Sequence, residues 1–418
     1  MIHCICIGFN TDNYPERTCV NGRTILTDSV YKLQESPILI TGAAGFIGRT
    51  LYSRLASDNK VIGLYHRKKP VNSVNIIWEQ ADLTDVNAVT AICKKYSPKI
   101  VIHCAGIAHQ KIGSVASSTY MCVNSESTEN LAKAASQVNP DVRFIFMSSV
   151  SVYGEGPGIT SRKDATAQKR KNYNGIGENG ECQPSSDYAR SKLDAERRLI
   201  ALADEGIIHN LTILRLAPVY DREWSFNLDR RVLAPFNMAY IRFGSGLQKM
   251  SALARPNLID FVEFLIRRLH RLTQIKVDKS SSFTKTGVGE FSDEKIENEG
   301  RTVNKDTDKS MQQNSLCNQR NLRINIFNVC DAEAYEFNTI IHVFKSSGAH
   351  PNRPIISVPL SVVWLATRIA GGLLPGKRKW LRSCYDKLAQ SLVFDNERML
   401  KTGFRPRHSL QTIFRSAD

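Results

Sequence analysis

Tyr188 and Lys192, in the stretch SSDYARSKLDAE, are the residues of this chain whose spacing most directly suggests chemistry. In a helix, four residues bring both side chains to one face. A phenol titrates at about 10 when unperturbed, too weak an acid to lose its proton often at neutral pH. A nearby ammonium favours the phenolate. Tyr188 could then exchange a proton with a hydroxyl or a ketone while Lys192 supplies the charge. On its own a Tyr-x-x-x-Lys pair fits the solvated face of any helix equally well. The preceding stretch FIFMSSVSVYG changes that weighing, because it reads as a strand ending in hydroxyls. Ser149 there would hydrogen-bond the reacting oxygen beside Tyr188, with Ser148 and Ser151 as competitors for the role.

Such a relay needs elements to carry it and a redox partner to serve. The stretch SPILITGAAGFIGRTL runs an apolar strand into a turn with glycines at 42, 45 and 48. Gly42 would permit the tight turn, Gly45 the approach of a pyrophosphate, and Gly48 close packing of helix on sheet. The helix beginning near Phe46 and Ile47 would then present unpaired N–H groups and its positive end to the phosphates. The spacing is GxxGxxG, and a plain structural turn is the competing reading. The next strand, VIGLYHRKK, ends in His66, Arg67 and Lys68 where an acidic side chain would accept ribose hydroxyls. Basic groups suit a 2′-phosphate, so NADP is favoured over NAD, with an exposed basic turn as the alternative. In ADLTD, Asp82 and Leu83 could border the adenine, although Asp82 also reads as a helix cap. In HCAG, Ala105 and Gly106 are small enough for a cofactor to lie against the backbone.

The runs ILIT, VIGLY, IVIHCA, RFIFMSS and LTILRLA alternate with helix-like stretches such as GRTLYSRLAS, VNAVTAICKKY and STENLAKAASQV. Ile- and Val-rich strands separated by helices predict an α/β fold. The expectation is a Rossmann-type, doubly wound parallel sheet with a smaller C-terminal substrate-binding lobe. The boundaries read as an N-terminal extension over 1–36, a dinucleotide-binding domain over 37–220, and a second lobe over 221–275 and 323–418. Between the two parts of that lobe, 276–322 is rich in Ser, Lys, Glu, Asp and Asn and is expected to be a disordered insertion. The apolar stretch VPLSVVWLATRIAGGLLPG carries Arg368 near its middle and is too interrupted to cross a membrane. A packed helix is the favoured reading there, and a peripheral membrane contact the other.

With 418 residues the chain can bury a sizeable core and form two lobes. Its ten cysteines show no CxxC pairing or regular spacing, which points to free thiols, no metal and a cytoplasmic setting. The start, MIHCICIGFN, lacks the pattern of a signal peptide, and no transmembrane segment is expected. The formal charge of +16 is spread along the chain without a compact basic stripe. Nucleic acid is therefore not expected, whereas small anions and an anionic membrane surface both fit.

TGAAGFIG, ADLTD, HCAG, VNSEST, SSVSVYG, YARSK and LRLAPVY together resemble the extended short-chain dehydrogenases/reductases of the NAD-dependent epimerase/dehydratase family. The resemblance spans roughly 37–270 and 323–418. It implies a nucleotide-diphospho-sugar substrate and Ser149, Tyr188 and Lys192 as the catalytic set. It also implies that Asn124 supports the site, that Pro218 and Val219 line the nicotinamide, and that Asn227 and Leu228 line the nucleotide diphosphate. Two departures stand out. Asp221 follows Tyr220 where relatives often have glycine, and Met250 occupies the place of an arginine for the substrate diphosphate. Lys249 and Arg255 are the candidates to replace that arginine. The resemblance implies a 4-epimerase or 4-keto reductase acting on a UDP-sugar. A 4,6-dehydratase is disfavoured because Val150 and Ser151 stand where elimination needs acids. The alternative is a cofactor-sensing or nucleic-acid-associated protein that kept the fold. STENLAKAASQV and YARSKLDAERRLIALADE are the helices that could pair two copies into a homodimer.

Overall fold

The computed structural model describes residues 37–70, 76–108, 114–154, 175–282, 323–348 and 352–415, together with a short antiparallel ribbon, Cys19–Val20 against Arg23–Thr24. The rest of the expected extension, most of the loop 155–187 and the insertion beyond Ser282 lie outside these residues.

β1 (Ile38–Thr41) leads to α1 (Gly48–Leu55), and β2 (Val61–Tyr65) to β3 (Ile76–Gln80). α2 (Val86–Tyr96) is capped by Asp85, which accepts from the N–H groups of Asn87 and Ala88, and β4 (Ile100–His103) follows. α3 (Ser117–Met121) joins α4 (Ser127–Val138) through one widened turn, Cys122–Glu126. β5 (Arg143–Ser149), α5 (Asp187–Asp204) and β6 (Asn210–Leu216) complete this half. Next come β7 (Val219–Tyr220), α6 (Phe226–Val232), β8 (Tyr240–Phe243), β9 (Lys249–Met250), β10 (Leu253–Ala254) and α7 (Arg255–Ser282). After the insertion follow β11 (Arg323–Val329), β12 (Tyr335–Glu336), α8 (Phe337–Ser346), β13 (Ile355–Val358) and α9 (Leu360–Leu373). α10 (Arg378–Ala389), α11 (Glu397–Lys401) and α12 (Leu410–Phe414) close the described chain.

Seven strands form one parallel sheet in the order β11-β6-β5-β4-β1-β2-β3. Both faces are covered, which is why the central strands are continuous apolar runs. On one face Ile38, Ile40, Ile102 and Ile145 pack with α1 and α7; on the other Leu39, Val101, Phe144 and Phe146 pack with α2, α4 and α5. Strand order reverses between β1 and β4, and ligands of such sheets bind in the crevice beyond the strand ends at that reversal.

Three sequence boundaries move. β11 was expected in the second lobe, yet all seven of its residues pair with β6 as the edge strand of the main sheet. α7 also sits with the sheet, placing Leu258, Phe261, Val262 and Leu265 in the core of that face, with Phe261 against Phe327 of β11. It continues to Ser282, so 276–282 is helical where the insertion was expected to begin. The second lobe has its own core, built from Tyr220, Leu228, Tyr240, Phe337, Ile340 and Phe344 among others. α9, expected to be packed, is mostly exposed; Gly371 is its one buried residue.

Candidate active site

The glycine corner is shaped by contacts that leave no room for side chains. Gly42 has φ +63°, and a Cβ there would stand 2.8 Å from the Ala105 backbone nitrogen. A Cβ on Gly48 would fall on the Gly42 carbonyl oxygen, so α1 can begin this close to the sheet only with glycine. Gly45 is exposed on the turn, and its N–H donates to the Gly42 carbonyl at 2.9 Å. Ile47 stands at the N-cap of α1 without a capping side chain, and the first turn holds no acidic residue. The Arg49 and Thr50 N–H groups already donate to the Gly45 and Ile47 carbonyls, so what the start of α1 offers an anion is the positive end of its dipole, with no carboxylate beside it. These residues fit a dinucleotide pyrophosphate, with Phe46 and Ile47 beside it.

At the ends of β2 and β3, exposed His66 brings Nε2 within 3.5 Å of Asp82 Oδ2. Asp82 is not the cap of α2. Its Oδ1 accepts from the Thr84 N–H and hydroxyl at 2.9 and 2.8 Å, which holds its carboxyl below the usual range. Leu83 is half-buried against the α2 side of the sheet, and Arg67 is exposed.

Beyond β4 a buried network ties the glycine corner to α5. His103 has its Nδ1 at 2.6 Å from Thr41 Oγ1 and its Nε2 at 2.7 Å from Thr128 Oγ1. Complete burial, with Lys192 nearby, pushes His103 down to about 3, so it is neutral. Thr41 Oγ1 also accepts from the Ala105 N–H at 3.2 Å, and Thr128 donates to the Asn124 carbonyl at 2.8 Å. Asn124, in the widened turn, is fully buried. It accepts from the Ile107 N–H at 2.7 Å and donates to the Ile107 carbonyl and Ser191 Oγ, each at 3.0 Å. Widened turns of this kind gather at functional sites because the extra residue re-aims side chains. A Cβ on Gly106 would lie 2.9 Å from Asn124 Oδ1 and 3.4 Å from Lys192 Nζ, so Gly106 brings the backbone of this loop to both.

α5 presents Tyr188 and Lys192 toward the end of β5. Ser186 caps the helix by accepting from the Ala189 N–H. Tyr188 lies beside Ser149; burial pushes the phenol up, and the serine opposes that shift. Ser149 Oγ also accepts from the Ser151 hydroxyl at 2.8 Å and N–H at 3.2 Å. Ser149 is therefore the serine that meets Tyr188, Ser151 orients it, and Ser148 is turned away to donate to Glu196. Lys192 is 5% exposed; it donates to the Met147 carbonyl at 2.9 Å and lies 4.6 Å from the centre of the Phe146 ring. Burial pushes it down to about 8, against the pull of Cys104 and Glu196. This corrects the expected electrostatics. Burial and Ser149 govern the phenol, which is held up rather than lowered, because the ammonium is aimed at Met147.

On the substrate side the expected residues separate. Pro218 and Val219 lie half-buried where β7 pairs with β10, the Pro218 carbonyl accepting from the Leu253 N–H at 3.0 Å. Asn227 is half-buried on α6, but the Leu228 side chain belongs to the second lobe's core and offers a ligand no surface. Lys249 is half-exposed, 3.9 Å from Glu336. Arg255 is not a free diphosphate ligand. It pairs with Asp221, donates to the Phe46 carbonyl at 3.2 Å and stacks 4.4 Å from the Phe46 ring centre. Asp221, one of the two departures, and Arg255, a candidate for the missing arginine, thus meet as one largely buried ion pair beside the glycine corner.

Behind the site lies an arrangement that sequence reading missed. Arg215 forms a buried ion pair with Glu196 at 2.7 Å and donates to Tyr153 Oη at 2.9 Å; Tyr153 in turn donates to Asn328 at 2.7 Å. The available signals were Glu196 one turn after Lys192 and an arginine inside the apolar run LTILRLA. Among the described residues no group of His, Cys, Asp and Glu could hold a metal ion, and no helix is long and apolar enough to cross a membrane.

A parallel sheet with a glycine corner at its reversal and a Ser–Tyr–Lys cluster beside it defines a dinucleotide-binding domain of the short-chain dehydrogenase/reductase type. Residues 38–242 match the model of the NAD dependent epimerase/dehydratase family. A UDP-glucose 4-epimerase of Vibrio cholerae is 30% identical over 231 residues, 54% of this chain and 65% of that protein. The methionine adenosyltransferase 2 subunit beta of Xenopus tropicalis is 28% identical over 187 residues, 44% of this chain and 46% of that protein. The matches thus span 65% and 46% of these two relatives' own lengths. Among solved structures, the UDP-glucuronic acid 4-epimerase of Bacillus cereus in complex with NAD shares the fold, with a TM-score of 0.55 and 17% identity over 91% of this chain and 96% of that one.

Proposed function

We propose that this protein is an NAD(P)-dependent enzyme that acts at C4 of a nucleotide-diphospho-sugar, in the first instance a UDP-sugar, as a 4-keto reductase or 4-epimerase. The observation carrying this reading is the meeting of Ser149 at the end of β5 with Tyr188 on α5, one turn before Lys192, at the crevice where the strand order reverses. The nicotinamide, when bound, supplies or accepts the hydride. The Tyr188 hydroxyl gives its proton to the carbonyl oxygen in reduction, or takes one from the C4 hydroxyl in oxidation. Ser149 donates to that oxygen and fixes its distance from the phenol. Lys192, beside Gly106, is assigned to the nicotinamide ribose. A phenol held up by burial rests protonated, the state that ketone reduction uses first. His66 and Arg67 at the ribose edge favour NADP over NAD. The relationship to a protein named as an enzyme subunit supports a second reading, a cofactor-binding subunit without turnover.

The test is incubation of the purified chain with NADPH or NADH and a panel of UDP-sugars and UDP-4-keto-sugars, with products read by mass spectrometry. Turnover is expected, and Tyr188→Phe should lower it at least about 100-fold. Undiminished turnover in that variant would refute the proton relay. Dinucleotide binding without turnover on any substrate would favour the subunit reading. Titration should give tighter binding of NADPH, and tighter NADH binding would overturn the assignment of His66 and Arg67.

A further inference from the structure

The second lobe carries a face that the proposed chemistry leaves unused. On α9, Val362, Leu365, Ile369 and Leu373 recur at spacings of three and four residues, forming one stripe along the helix. All four are more than half exposed, at 54, 53, 57 and 77%. Trp364 flanks the stripe, with the Arg368 guanidinium 5.3 Å from its ring centre. The other side of the helix, Val363, Thr367, Ala370 and Gly371, is the side turned toward protein. Along the same chain, β13 exposes Ile355 and Ile356 just before α9 begins. Single exposed apolar residues are ordinary on protein surfaces, but a continuous apolar stripe marks an interaction surface.

Charge identifies what covers it. Arg368 lies within the helix, while Lys377, Arg378 and Arg382 follow it, and all four are exposed. An open groove of about 570 Å³ is lined by Arg242, His342, Lys345 and Ile355 among others, so a second cationic feature adjoins the exposed strand. We propose that this face docks on an anionic lipid surface, with α9 lying in the interfacial plane and the surrounding cations on lipid phosphates. An apolar face rimmed by Lys and Arg is the signature of helices that lie on membranes rather than cross them. At 14 residues α9 extends about 21 Å, short of the hydrocarbon thickness. A second copy is the poorer occupant. Each copy carries a formal charge of +16, and a two-fold contact through α9 would bring the same cations together.

Flotation of the full chain with phosphatidylcholine vesicles, and with vesicles containing about 30% phosphatidylglycerol, tests this. At least about tenfold more protein should float with the anionic vesicles, and high salt should release it. Leu365→Glu with Ile369→Glu should lower that binding at least about tenfold. Arg378→Glu with Arg382→Glu should remove the preference for anionic lipid. Both pairs are exposed, and unchanged far-UV circular dichroism verifies the fold of each variant. Equal binding to the two vesicle types, no binding to either, or full binding by the Leu365/Ile369 variant would overturn the proposal. So would a dimer in sedimentation that this variant converts to monomer, which would make a second copy the occupant.

Discussion

Replacing Lys192 by Met should make the protein more stable while removing its proposed activity. In the unfolded chain this lysine titrates at the ordinary 10.5, whereas in the folded protein burial holds it at about 8. Between those values the unfolded state binds more protons, so the wild-type gains stability as pH rises from about 8 to 10.5 and is penalised below. At pH 7 the lowered value corresponds to about 3 kcal/mol against folding, and at pH 9.5 to roughly 1 kcal/mol. Met keeps an unbranched apolar stem against Phe146 and carries no charge to desolvate. It also leaves the Met147 carbonyl without its 2.9 Å donor, an opposing effect of about 1 kcal/mol that does not vary with pH. Urea unfolding of both proteins at pH 7 and 9.5 should thus show the advantage of Lys192→Met shrinking by about 2 kcal/mol at the higher pH. A difference constant across that range, or one growing with pH, would refute the reasoning whatever its sign at pH 7.

Gly48→Ala should abolish dinucleotide binding in a fluorescence titration and lower stability by at least about 2 kcal/mol, because its Cβ falls on the Gly42 carbonyl. Arg215→Met leaves the Glu196 carboxylate buried without its partner and should cost about 3–5 kcal/mol in urea unfolding. Adding Glu196→Leu should restore much of that loss; if the double variant is no more stable than the single one, the ion pair is not the source of the effect.

The parts of this protein that could be read from its residues are those where the constraint is local. Gly42, Gly45 and Gly48 announce a corner because a side chain there would meet neighbouring backbone, and Tyr188 and Lys192 share a helix face by spacing alone. What escaped depends on partners far along the chain. Arg255 resembled a diphosphate ligand until Asp221 and Phe46 were found against it. Glu196 and Arg215 carry no local sign of their pairing, yet they form a buried pair at the back of the site. β3 at the sheet's edge is only half-buried, so its apolar signal was weak; β11 and α7 were misassigned because chain order placed them with the second lobe. The direction of the Tyr188 shift follows from burial of the phenol, which spacing cannot convey.

The late arrival of β11 has a consequence for biosynthesis. β6 ends at Leu216, but the strand that covers its outer edge begins at Arg323. At roughly 5–20 residues per second, a ribosome needs about 5–20 s to make the intervening chain. During that interval the backbone of NLTILRL stands as an open rim, able to recruit another nascent chain. Synthesis of the segment beyond Ser282 prolongs the wait, so the time at which a growing molecule is safest from mispairing is set by how late Arg323–Val329 emerges.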